Sequence, residues 1–299
     1  MARFPRFQLM LLLALSLFLL PAYALRAQED LVGGASREDI SGGAADDDDR
    51  PSNPSVSRSS QPKQSKPKTT AKTPRVNAGE QVDEALQEGN LARDARNFAE
   101  AEKAYQQAAK LNPREARAYE GLGNVYFDQR RFQDAAENYK KAITFKSDEA
   151  RLHLALGRTY NRLGQSEQSL EALQQAVRLK PDLAEAYFSM GHAYALQGEL
   201  RKAADAFQAA TRYRRDYAAA YNNLGLTYRR MRRLREAVEP LKQAISYDRN
   251  FARAYFNLAL VYNALGEREA AEEQLKILRN LDPERANRAS NIMARRNRR

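Results

Sequence analysis

The chain of 299 residues contains no cysteine. That absence excludes disulfides, zinc thiolates, thiol redox chemistry and a lipid-modified cysteine. Histidine is almost as scarce, with His153 and His192 the two in the chain. No glycine loop of the kind that cradles phosphate is present, and no nucleophile and base stand at a recognisable spacing. There is no Asn-x-Ser/Thr acceptor with x other than proline, which favours a bacterial envelope over a eukaryotic secretory lumen. Long apolar runs are missing too. The longest, Leu9 to Leu20, has twelve residues, short of the ~20 that a spanning helix needs.

That one run has informative flanks. Arg3 and Arg6 precede it, and Pro21 and Ala22-Tyr23-Ala24 follow. The order basic, apolar, small predicts a secretory signal peptide over residues 1–24, cleaved after Ala24 or Ala27. The alternative is an uncleaved anchor. In both cases the arginines stay cytoplasmic and the rest is exported, to the periplasm, the cell surface or the medium. Residues 25–77 then offer almost no bulk to bury and read as a disordered linker. Asp46 to Asp49 are four consecutive acids, and Arg50 to Arg75 holds seven basic residues without an acid. The aspartates lack the spaced ligands of a calcium loop, so no metal or other cofactor is expected.

What the chain has is a period. At a step of 34 residues, Gly89, Gly123, Gly157, Gly191 and Gly225 share a column that Ala259 completes. Tyr119, Tyr187, Tyr221 and Tyr255 form a second column, which His153 joins. Tyr126, Tyr160, Tyr194, Tyr228 and Tyr262 form a third, and Ala101, Ala135, Ala203, Ala237 and Ala271 a fourth, with Ser169 in the open place. A fixed period of this length marks stacked supersecondary units. Within 116–149 the apolar residues fall at spacings of three and four over two stretches, which predicts two amphipathic helices. The small residues allow the two helix axes to approach, and tyrosine rings fill the space left open. Pro113, Pro181 and Pro283 stand where second helices stop; Pro240 lies inside one and removes a backbone hydrogen bond. One hairpin cannot cover both its apolar faces, so stacking supplies most of the stability.

These columns resemble the tetratricopeptide repeat family. The resemblance implies an all-α, right-handed α-solenoid of about six helical hairpins over 78–285, in units 82–115, 116–149, 150–183, 184–217, 218–251 and 252–285. Ala220-Tyr221-Asn222-Asn223-Leu224-Gly225 is similar to the superhelical repeats of O-linked N-acetylglucosamine transferases, a likeness confined to the repeats. Ser147, Arg215 and Arg249 depart from the usual proline. Residues 286–299 continue the phase with Ala286, Ala289, Ile292 and Met293 and predict a capping helix with a basic tail. Of the net charge of +11, residues 285–299 supply +6 and residues 1–81 supply +2, leaving +3 for the repeats. Nucleic acid is therefore not an expected partner.

The family places ligands on the first helix of each unit. Carried over by column, the groove of units one and two holds Asp83, Asn90, Asp94, Glu120, Asn124 and Asp128, an acidic half. Units three to six give Arg151, Arg158, Arg162, Phe188, His192, Asn222, Asn223, Arg229, Arg230, Arg253, Phe256, Asn257 and Asn263, a basic half with aromatic faces. His153 is expected against the hairpin core. Asn223 and Asn257 occupy an asparagine-ladder column, whose amides match a peptide backbone. The reading is an exported, non-enzymatic protein–protein scaffold that grips an extended peptide segment bearing acidic residues or a free carboxylate. The alternative is an adaptor for a polyanion, membrane or cell-wall surface, acting through the basic linker and the arginine tail and extended by Arg229 to Arg235.

Overall fold

The computed structural model describes residues 77–297. The expected signal peptide (1–24), the expected linker apart from Asn77, and Arg298 and Arg299 lie outside the described residues. What is described is helical and falls into two compact units that meet in the chain between Gln197 and Gly198. The N-terminal unit contains α1 (Ala78–Asp94), α2 (Phe98–Leu111), α3 (Ala116–Asp128), α4 (Phe132–Phe145), α5 (Ala150–Leu163), α6 (Ser166–Leu179) and α7 (Ala184–Leu196). The C-terminal unit contains α8 (Leu200–Tyr213), α9 (Ala218–Arg230), α10 (Leu234–Tyr247), α11 (Ala252–Leu265), α12 (Arg268–Leu281) and α13 (Pro283–Asn297).

Local chemistry sets the helix ends. Asn77 opens α1 with a capping box: its side chain accepts from Gly79 N at 2.7 Å, and Glu80 accepts from Asn77 N at 3.1 Å. Hairpin turns close through one residue of positive φ at each 34-residue step: Arg96, Arg130, Gly164, Gly198, Arg232 and Gly266. The amide after it reaches back five residues, as in Asn97 N to Ala92 O, Arg131 N to Tyr126 O and Gln165 N to Tyr160 O, at 2.8–2.9 Å. Three of these six turns place arginine where glycine is the unstrained choice. The α10 helix runs through Pro240.

Packing in each hairpin turns on the glycine column. A Cβ on Gly89 would stand 2.7 Å from the Tyr105 ring, and one on Gly123 the same distance from Tyr139. At Gly157 and Gly225 it would meet Leu173 and Leu241 at 2.5 Å. The filling residue is thus sixteen positions on, in the second helix: tyrosine opposite Gly89 and Gly123, leucine opposite Gly157 and Gly225. The tyrosine column that begins at Tyr119 serves the loops instead. Tyr119 donates to the Pro113 carbonyl and Tyr187 to the Pro181 carbonyl, each at 3.1 Å. His153 follows them: its Nε2 lies 2.9 Å from the Ser147 carbonyl. This corrects its expected place against the core, because the first turn of the helix faces the preceding loop and leaves the ring half-exposed. At the far end α13 seats Ala286, Ala289 and Met293, all buried, on the core formed by α11 and α12.

Candidate functional site

In the N-terminal unit the first-helix polar residues are largely engaged with one another. Residues one unit apart on successive first helices become neighbours when α1 packs on α3. Asp83 accepts from Arg117 at 2.9 Å, Asp128 from Arg93 at 2.8 Å, and Glu120 from Arg151 at 2.8 Å. Arg117 and Arg151 also hold Glu115 and Glu149. Hydrogen bonding to Arg117 draws the Glu115 carboxyl below its ordinary range, whereas burial pushes Glu120 above it despite Arg151. The expected acidic half is therefore cancelled by arginines. One of them, Arg151, is a residue the columns had assigned to the basic half. Arg93 and Arg117 were absent from the predicted set; complementary charges 35 and 34 residues apart were the signal that could have found them.

Asn90 and Asn124 are engaged as well. Each accepts from a buried phenol, Tyr105 or Tyr139, at 2.7 Å. Burial pushes Tyr105 up to about 12 and raises Tyr139 too, so both remain proton donors. Asp94 is exposed on the last turn of α1. Arg158 and Arg162 lie over the rings of Phe127 and Phe132, 5.9 and 5.2 Å from their centroids. Phe188 is buried and meets His192 edge-on at 4.7 Å.

In the C-terminal unit the asparagines form a ladder, but a buried one. Asn257 donates to Asn222 Oδ1 at 2.9 Å, and Asn222 donates to Asn223 Oδ1 at 3.2 Å. Their exposures are 6%, 4% and 7%. These amides tie α11 to α9 and are not the open peptide-facing groups the sequence suggests; helix-to-helix stacking covers them. Phe256 and Asn263 are likewise buried. The accessible members of the predicted set are charged. Arg229, Arg230 and Arg253 are half-buried, and burial holds the Arg230 guanidinium below its ordinary value. Neither α9 nor α11 contains an aspartate or glutamate. A cleft of about 810 Å³ opens beside the turn after α9, lined by Gly198, Glu199, Leu200, Arg201, Lys202, Met231 and Arg233. Apart from Arg233, which the arginine run 229–235 includes, these residues lay outside every predicted site.

Comparisons with known proteins agree with this architecture. Family models described as tetratricopeptide repeats match residues 86–150, 157–198, 191–231, 233–266, 218–246 and 252–283. Nothing among curated proteins matches the chain. Among solved structures, MamA is 27% identical, with a TM-score of 0.53 over 58% of this chain and 96% of its own. YrrB, described as a TPR protein with an unusual peptide-binding site, is 30% identical, with a TM-score of 0.50 over 60% of this chain and 90% of its own. Pseudomonas aeruginosa pilF shares the fold at 19% identity, with a TM-score of 0.61 over 69% of this chain and 94% of its own.

Proposed function

Because this chain belongs to the tetratricopeptide repeat family, we propose that it is an exported, non-enzymatic scaffold that holds an extended, carboxylate-bearing segment of a partner protein. The coarser part, a protein–protein interaction scaffold, follows from the family and its all-α solenoid architecture. One observation carries the finer part. The first helices α9 and α11 present Arg229, Arg230 and Arg253 with no acidic residue among them. In the N-terminal unit, by contrast, Asp83, Glu120 and Asp128 each meet an arginine. A half-buried guanidinium has lost part of its hydration, and a carboxylate replaces it through charge-assisted hydrogen bonds. Single contacts are weak, at ~0.5–1.5 kcal/mol net for a hydrogen bond, so affinity accumulates along the segment. Export rests on the basic, apolar and small-residue order of residues 1–24.

The test uses the mature chain and the variant R230Q/R253Q, which leaves the amide ladder intact. Capture of a defined partner from envelope extracts, identified by mass spectrometry, should drop at least tenfold with an unchanged helical circular dichroism signal. Equal capture by the variant would remove the first-helix face from the reading.

A further inference from the structure

The hairpin turns differ sharply in charge. Residues 93–100, 127–134 and 161–168, the three turns of the N-terminal unit, each carry as many acids as bases. In the C-terminal unit residues 263–270 carry a net −1, but residues 229–236 hold five arginines and one glutamate, a net +4. Beside this turn lies the cleft of about 810 Å³, whose rim adds Arg201 and Lys202. Arg232, Arg233 and Arg235 are exposed.

We propose that this turn and its cleft form a docking site for an acidic polypeptide segment of a partner protein, through Arg201, Lys202, Arg232, Arg233 and Arg235, which lie beyond the first-helix face that ends at Arg230. Two features of the cleft select a polypeptide over a phosphate or sulfate polymer. Leu200 and Met231 contribute apolar wall beside the basic rim, a surface that aliphatic side chains use and a uniformly charged polymer does not. Two of the basic groups are also already seated on carboxylates of this chain: Lys202 pairs with Glu199, and Arg233 Nε donates to Glu236 at 2.6 Å. Such exposed pairs are weakly held, so a multivalent acidic segment exchanges with them. The balanced turns of the N-terminal unit offer no such excess.

The experiment measures fluorescence anisotropy of a twelve-residue peptide of alternating glutamate and leucine with the mature chain at about 0.15 M salt, where screening still permits short-range attraction. The variant R201Q/R232G/R235Q removes one charge of the cleft rim and two of the turn, and Gly suits the positive φ at position 232. Its Kd should rise about tenfold, the sum of three modest exposed charge contacts, more than the change produced by R253Q, which touches the first-helix face alone. Equal affinity of wild type and turn variant overturns the proposal, and so does an equal loss in both variants. Loss confined to R253Q overturns it too, but leaves the first-helix reading standing. Polyphosphate of equal charge that competes as well as the unlabelled peptide shows a generic polyanion surface and also refutes it. A photocrosslinking leucine analogue in the peptide checks the wild-type chain without any variant. Crosslinks are expected within residues 198–236, and crosslinks elsewhere overturn the site.

Discussion

Replacing Gly123 by alanine sets two physical effects against each other. On propensity alone the change should stabilise α3, since glycine in a helix interior is ~1 kcal/mol worse than alanine. The structure predicts the opposite. The new methyl would lie 2.7, 2.8 and 3.0 Å from three atoms of the Tyr139 ring. That ring is 2% exposed, packed in a core with Ala135 and Ala136, and anchored by its hydroxyl to Asn124 at 2.7 Å. It cannot retreat without giving up the hydrogen bond, worth ~1 kcal/mol. Overpacking of this kind costs ~1–3 kcal/mol; with the ~1 kcal/mol lost bond added and the ~1 kcal/mol propensity gain subtracted, the net effect is a loss of roughly 1–3 kcal/mol. The sixth hairpin already carries Ala259 opposite a buried Leu275. G123A/Y139L should therefore lose less than the sum of the two single changes, with a coupling of about 1 kcal/mol. Urea unfolding followed by circular dichroism gives the global values, and amide exchange over residues 116–145 localises the loss, since repeat arrays need not unfold in one step. A G123A chain more stable than wild type would refute the steric argument.

Three further outcomes follow from other parts of the structure. Arg130 holds φ at 63°; R130G should raise the urea midpoint by the equivalent of ~0.5–1 kcal/mol, the left-handed strain less the added unfolded-state entropy, and a lower midpoint would contradict it. Asn222 bridges Asn257 and Asn223 inside the C-terminal unit; N222A removes the acceptor of the buried Asn257 amide and should cost ~1–3 kcal/mol in thermal or urea unfolding, whereas a purely ligand-facing amide would leave stability unchanged. Tyr105 is pushed from 10 up to about 12 by burial; because the folded state keeps its proton longer, the stability it confers is complete below pH 10 and is lost as pH rises through 12. Y105F should flatten the pH–stability curve over that window while lowering stability at pH 7 by ~1 kcal/mol through the lost bond to Asn90, and an unaltered slope would count against it.

The architecture is legible in the residues because a helical hairpin repeats its steric demands. Each close approach of two helices needs a small residue, and Gly89, Gly123, Gly157 and Gly225 mark these contacts at a constant step. Each turn needs a residue of positive φ, and Gly164, Gly198 and Gly266 supply it, although Arg96, Arg130 and Arg232 at the same step give no such hint. The proline and alanine columns fix where helices stop and touch for the same local reasons.

What side chains do with their polar ends was decided by stacking. A column says that Asp83, Glu120 and Asn257 lie on first helices, but only the approach of one first helix to the next determines which of them face solvent. That approach closes Asp83 on Arg117, Glu120 on Arg151 and Asn257 on Asn222, while α9 and α11 carry arginines and no acid. Periodicity follows from contacts within one hairpin, which the sequence repeats in order. Binding capacity is what remains after contacts between hairpins are made, and those join residues some 34 positions apart, which only the folded chain brings together.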